Sequence, residues 1–299
     1  MPDTVKREHY YHAEAAALSG VLQLPLVQII NPQASASLPE KGGYLSQQAQ
    51  PYKVESVLSY ESAHTQVAGN RETKPGHGFS TLVTSVVEGL NILDVVTADR
   101  VVAQVSTEHP LAGHVPSVTF LGTRFENLRI AGHEVKLDWD LNLCGPKPDG
   151  DAPYTKSPEF VNRVAQQHAR LRKAQSGHEN PLAELLARYN LYPESFANST
   201  GDEENVECSL VTQAEGSFPG QCSGHVIQVP NFGTIHLAVL KLKHNYPKEG
   251  ERFPERTTFE LTMIEIEMGC VATGNLKVAA AIANGGGKPN SPPPSQPPS

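Results

Sequence analysis

The sequence lacks most of the features that announce a function. No stretch approaches the ~18 consecutive apolar residues that a membrane helix needs. The best candidate, residues 21–30, is interrupted by Gln23, Pro25 and Gln28, so no membrane insertion is expected. Positive charge is scarce, with 24 Lys and Arg against 32 Asp and Glu and a formal net charge of −8. An acidic chain repels phosphate backbones, so nucleic acid is not an expected partner. The one basic run, Arg170, Arg172 and Lys173, reads as the solvated face of a helix. The four cysteines, Cys144, Cys208, Cys222 and Cys270, form no Cys-x-x-Cys pair, and zinc-finger spacing is absent. There is no Gly-x-Ser-x-Gly elbow, no phosphate-binding glycine loop and no His-Glu-x-x-His helix, so no motif assigns a catalytic residue, a metal or a cofactor. Trp139 is the single tryptophan and aromatics are 6% of the chain, which is little material for a carbohydrate-binding platform.

Turn formers are plentiful, with 24 glycines and 24 prolines in 299 residues. Many breakers imply many short elements, which suits a β-protein. Residues 22–30 read as a strand at a sheet edge, because Pro25 cannot donate to a ladder. Residues 31–51 read as loop. Val54, Ser56, Leu58 and Tyr60 alternate. The strongest strand pattern is Thr81, Val83, Ser85 and Val87, followed by Val96 and Ala98 and then, in a second phase, Val101, Ala103 and Val105. Gly89 and Leu90-Asn91 mark a bend or bulge between consecutive strands. Leu128 to Val135 reads as strand, turn, strand with Ala131-Gly132 at the tip. Strands return at 226–229, 234–242, 259–268 and 271–282.

Between these blocks the pattern becomes helical. Ser157-Pro158-Glu159 is a helix-start signal, followed by Phe160, Val164 and Leu171 on one stripe. Asn180-Pro181 repeats the signal ahead of Leu182, Leu185, Leu186 and Tyr189. The expectation is an all-β fold, either a sandwich or an elongated sheet stack, with an inserted α-helical hairpin at about 157–191. An N-terminal arm covers 1–12 and the β-rich domain 13–284. A Gly/Pro-rich tail over 285–299 has nothing to bury and is expected to be disordered.

Candidate site residues are few. Asp138 and Asp140 flank Trp139 on a predicted strand, an acidic-aromatic segment that fits a ligand-binding role. Cys208 and Cys222 bracket a Gly/Pro-rich stretch; as a disulfide they would add ~3 kcal/mol through loop closure, and as reduced thiols they would be buried. Of the twelve histidines, His225, His236 and His244 are spread over strands and turns, and His236 and His244 share a strand face only if no bulge intervenes. Glu265 and Glu267 read as a solvent-facing acidic row. No metal site is expected from these spacings.

Three segments carry a family resemblance: residues 78–101, including Gly89-Leu90-Asn91-Ile92-Leu93-Asp94; residues 125–135, Phe125-Glu126-Asn127-Leu128 onward; and residues 227–235, followed by 259–282. In this order they resemble the choice-of-anchor P proteins of bacteria. The resemblance implies a secreted, surface-displayed β-rich domain and transfers no catalytic residue. Residues 1–12 do not read as a secretory signal peptide. The expected location is therefore cytoplasmic if Met1 is the native start, and the cell surface if the resemblance holds. The functional expectation is a non-catalytic structural or interaction protein that self-associates through exposed strand edges. The alternatives are a small-molecule or carbohydrate binding module centred on Trp139, and a hydrolase with an unfamiliar site.

Overall fold

The computed structural model describes residues 9–71, 78–110, 114–175, 188–189, 198–200, 202–247, 253–270 and 272–285. The first half of the chain forms β1 (His12–Leu24), β2 (Gln28–Gln33), β3 (Ala36–Ser37), β4 (Gly43–Ala49), β5 (Tyr52–Val54), β6 (Leu58–Tyr60), β7 (Ser62–Arg71), β8 (Phe79–Ile92) and β9 (Val96–His109). There follow β10 (Ser117–Thr119), β11 (Arg124–Glu126), β12 (Arg129–Ile130), β13 (His133–Glu134) and β14 (Lys136–Trp139), then a 3-10 turn (Tyr154–Lys156) and the helix α1 (Pro158–Gln175). The chain continues through β15 (Asn198–Thr200), β16 (Glu203–Ser209), β17 (Val211–Glu215), β18 (Gln221–Ser223), β19 (Val226–Val229), β20 (Gly233–Asn245), β21 (Arg256–Gly269) and β22 (Thr273–Gly285).

The strands assemble into two large antiparallel sheets. The first runs β15-β16-β20-β21-β22-β1-β2, with β19 also on β20 and β3 on β1. The second is built on β8 and β9, with β7, then β4, along one side and β10, β11 and β12 along the other. Strands β1, β21 and β22 pack across β7, β8 and β9, closing a sandwich around one apolar core. The all-β expectation is met. The expected strand at 22–30 is instead a hairpin: Pro25 sits in the turn, Val21 pairs with Ile29, and β2 is the terminal strand of its sheet. The expected loop at 31–51 contains β3 and β4. The helical start at Ser157 is real, with its carbonyl accepting the Val161 N–H at 3.0 Å. Phe160, Val164 and Leu171 are buried, so α1 packs its apolar stripe on the body. The second helix of the expected hairpin lies outside the described residues except for Arg188 and Tyr189. The expected arm and tail also lie outside them, apart from residues 9–12 and Gly285. Among the described residues no helix is long and apolar enough to cross a membrane.

A row of irregularities controls which side chains reach the core. Ala17, Ala279, Met263 and Ala238 are each skipped in the register of four adjacent strands, since Ala16 pairs Ala280 and Leu18 pairs Val278, while Thr262 pairs both Val239 and Ala280. Ala238 and Ala279 sit at φ 47 and 50. The buried series changes phase at this row in every strand: Ala13, Ala15 and Ala17 give way to Leu18 and Leu22, and Phe259, Leu261 and Met263 to Ile264 and Ile266. Because all four strands slip together, cross-strand neighbours stay on one face. The second sheet has its own change of phase at Gly89 (φ 62), where an added Cβ would meet the Glu61 Cγ at 2.3 Å. Glu88 pairs Arg100 and Leu90 pairs Ala98 with the register kept, so Gly89 lies inside β8 and the turn between β8 and β9 falls at Leu93-Asp94 instead of at the expected bend or bulge. The expected two-residue turn at Ala131-Gly132 is also present, with φ 49 and 81 as a primed hairpin turn requires.

Candidate functional site

The Asp138-Trp139-Asp140 segment does not converge. Strand β14 pairs with β17, and the register shifts between Asp138, opposite Gln213, and Trp139, opposite Val211. The extra residue, Thr212, lies on β17, and β14 ends at Trp139, so Asp140 stands beyond the strand. Asp138 is exposed. Asp140 turns toward α1, where its carboxylate accepts from the Asn142 N–H at 3.2 Å and Arg163 at 3.4 Å. Trp139 is half-buried against Phe125, ring centres 5.8 Å apart. It packs on the body instead of standing beside two carboxylates.

Cys208 and Cys222 are both free thiols in different surroundings, so the entertained bridge is not formed. Cys208 is buried on β16 with its thiol toward the Leu240 carbonyl at 3.5 Å; Cys222 on β18 points to the Ala214 carbonyl at 3.0 Å. Burial pushes both thiols up, Cys222 to about 11, which keeps them protonated and unreactive at neutral pH.

The structure assembles a cluster that the sequence did not announce. Tyr189 is buried over the outer face of the first sheet, its hydroxyl 2.9 Å from His225 Nε2 and 3.3 Å from His236 Nδ1. One phenol proton can serve only one imidazole, so the hydroxyl donates to one ring and accepts the N–H of the other. His168, from α1, tilts against the Tyr189 ring at 5.5 Å and donates Nε2–H to the Glu207 carbonyl at 2.8 Å. Its neighbour Gln167 clamps β16, donating to the Ser209 carbonyl at 2.7 Å and accepting the Ser209 N–H at 3.1 Å. Arg188 binds Glu207 and Glu265 and lies 3.4 Å from Glu267; Lys241 reaches Glu265 at 3.1 Å. Glu265 is therefore not part of a solvent-facing acidic row: it is buried, while Glu267 is exposed.

Burial dominates the electrostatics here. It lowers His236 to about 3 and His168 to about 4, takes His225 well below its ordinary value, and raises the Tyr189 phenol. Burial would also raise Glu265, but Lys241 and Arg188 outweigh it and bring the carboxylate to about 2. Around neutral pH the three imidazoles are uncharged and the phenol is protonated, while Arg188 and Glu265 carry opposite charges. The adjoining cavity is about 110 Å³, lined by Arg188, Asn205, Glu207, Lys241 and Lys243 among others. It is room for a few waters, and Tyr189, His225 and His236 are at most 2% exposed. The arrangement anchors the chain at Arg188–Tyr189 onto the sheet. The row of skipped residues explains why it was hidden. His236 and His244 are eight residues apart, yet His236 faces this outer cluster. His244 faces the core, accepting the Tyr154 N–H at 3.2 Å.

Two surface features remain. The β1–β2 hairpin exposes Val21 at 40%, Leu24 at 52%, Val27 at 83% and Ile29 at 70%. Four of the seven exposed large apolar side chains among the described residues thus sit on one hairpin, more than scattered exposure accounts for. A shallow cleft of about 540 Å³ runs beside Gln221, Gln228, Pro230, Phe232 and Cys270. Among the described residues no group of three or more His, Cys, Asp or Glu converges on a metal position.

A family model described as "Domain of unknown function (DUF8256)" matches residues 9–243, and the chain belongs to that family. The match ends inside β20, whereas β21 and β22 lie between β20 and β1 in the sheet. The matched part therefore closes its sheet only through strands beyond it. No curated protein and no solved structure matches the chain.

Proposed function

We propose that this chain is a non-catalytic interaction module that associates with a second copy of itself through the β1–β2 hairpin. The observation that carries this reading is the exposed apolar set Val21, Leu24, Val27 and Ile29 on a hairpin whose outer strand, β2, ends its sheet. A terminal strand offers backbone donors and acceptors to another strand. An identical strand related by a two-fold axis would bring both apolar sets onto one continuous surface. Strand β2, Gln28-Ile29-Ile30-Asn31-Pro32-Gln33, carries no charge, so two copies of an acidic chain meet there without repulsion. Pro32 lacks an N–H and confines ladder pairing to the first part of the strand, leaving apolar contact to supply most of the affinity. The likeness of three segments to choice-of-anchor P proteins supports a setting at the cell surface.

The test is light scattering coupled to size exclusion over a dilution series. Wild type is expected to form a dimer or larger ordered assembly that dissociates on dilution. Val27→Glu and Ile29→Lys, both at exposed positions, should remain monomeric and melt as wild type does. A wild-type monomer at the highest soluble concentration would sink the proposal.

A further inference from the structure

At the other end of β1 the core contains polar atoms without partners. Phe79 pairs with His109 and Thr81 with Thr107 in the β8–β9 ribbon, so these four side chains share the buried face. His109 is 1% exposed, and among the described residues neither of its ring nitrogens has a hydrogen-bond partner. The hydroxyls of Thr81 and Thr107 and the Nε2 of His9 are buried and unpartnered as well. His9 stacks on Phe79 at 4.2 Å, and its ring centre lies 4.9 Å from that of His109. Half of the unpartnered buried side-chain atoms among the described residues therefore lie on four neighbouring residues. Each such atom costs about 1–3 kcal/mol when left unsatisfied, and natural structures retain such groups where an ion, water or a catalytic role accounts for them.

We propose that His9 and His109 bind a divalent transition-metal ion of the zinc type through ring nitrogens, with water held by the Thr81 and Thr107 hydroxyls completing the coordination. Two imidazoles on one tetrahedral ion, each nitrogen about 2.0 Å from it, place their ring centres about 5 Å apart, which matches the observed separation. An oxygen-seeking cation such as magnesium or calcium is excluded by the donors, since no carboxylate lies in the set. Burial keeps both rings neutral, so their lone pairs are available at neutral pH. The nearby cation, Lys147, is turned onto the carbonyls of Gly150 at 2.5 Å and Pro148 at 3.4 Å. Two protein ligands are one fewer than the three of open zinc sites, so water fills the remaining positions.

The experiment uses the full chain after chelator treatment and titrates Zn²⁺, Co²⁺ and Mg²⁺, reading heat of binding, melting temperature and the visible Co²⁺ spectrum. Expected are one zinc per chain, a raised melting temperature, a tetrahedral cobalt spectrum with nitrogen ligation, and no response to magnesium. His109→Gln perturbs the core itself, so His9→Gln, at the half-buried partner, carries the test: affinity should fall at least about tenfold while the metal-free melt stays close to wild type. Two results would overturn the site. One is no zinc response, which would assign these atoms to ordered water. The other is equal binding by wild type and His9→Gln, which would assign it to surface groups such as His12, His64, His133 or Cys270. Neither result depends on the hairpin, so failure here and failure of self-association are read separately.

Discussion

Two buried histidine clusters sit in this fold, and they differ in how their polar atoms are satisfied. Over the outer face of the first sheet, Tyr189 bridges His225 and His236, and Arg188 is bound by carboxylates. At the end of the sandwich, neither ring nitrogen of His109 has a hydrogen-bond partner among the described residues, beside Thr81, Thr107 and His9. Similar residue types at similar burial thus serve opposite ends. The closed network, in which His168 Nδ1 is the one buried imidazole nitrogen without a partner among the described residues, spends the rest of its hydrogen-bonding capacity on the protein and fixes one segment against another. An open one keeps that capacity for something else. The count of histidines does not separate the two; the partner of each nitrogen does.

Acid should break both clusters at once, with the largest effect. His109, His168, His225, His236 and His244 are all at most 2% exposed, and burial lowers each of them, His168 to about 4 and His236 and His244 to about 3. A histidine whose folded value lies below its unfolded value contributes stability that is present above about pH 6.5 and lost as pH falls toward the folded value. Five such groups lose roughly 7 kcal/mol per pH unit below about 6, against a total of about 5–15 kcal/mol for a typical fold. Circular dichroism should therefore show cooperative unfolding between about pH 6 and 4.5. Zinc should move that midpoint to lower pH in wild type and less in His9→Gln, because the ion competes with protons at the open cluster alone. A fold that persists at pH 4 would mean that these rings are solvated.

Removing the Tyr189 hydroxyl tests the closed cluster. Tyr189→Phe leaves His225 Nε2 and His236 Nδ1 buried without a partner. The expected loss is about 2–4 kcal/mol in urea unfolding at pH 7.5, with zinc binding unchanged. A variant as stable as wild type would show that the bridge does not anchor the segment.

Much of the sandwich is legible in the sequence because alternation and turn chemistry are local. Thr81, Val83, Ser85 and Val87 face inward as their spacing predicts, and Ala131-Gly132 turns the chain where it should, whereas Gly89 stays inside β8 and the turn comes at Leu93-Asp94. The Asp138-Trp139-Asp140 segment does not stay one strand face, because β14 ends at Trp139: Asp138 remains in solvent while Asp140 turns to Arg163 of α1. His236 and His244 have the same parity yet face opposite sides, since the skip at Ala238 depends on three neighbouring strands distant in sequence. Tyr189 sits at the end of an apolar stripe, and nothing local shows that its hydroxyl meets two imidazoles 36 and 47 residues away. His109 is hidden by the opposite circumstance: it continues the alternation of β9 so regularly that only its lack of partners marks it.

The smallest effect gives the sharpest contrast. Thr107 and Thr257 are both buried in strands, at 1% and 0% exposure. The Thr257 hydroxyl lies 3.0 Å from His244 Nδ1, whereas that of Thr107 has no partner. Valine has nearly the shape of threonine, so replacement removes the hydroxyl and little else. Thr257→Val breaks a buried hydrogen bond and leaves an imidazole nitrogen unsatisfied, so it should destabilise by about 1–3 kcal/mol. In metal-free protein, Thr107→Val removes an unsatisfied group and should be neutral or stabilising by up to about 1 kcal/mol. With zinc present the benefit should shrink or reverse, because the hydroxyl then has metal-bound water to hold. Urea unfolding of both variants with and without zinc resolves the sign. If Thr107→Val destabilises the metal-free protein as much as Thr257→Val does, its hydroxyl is already satisfied by resident water, and the open cluster is as closed as the other.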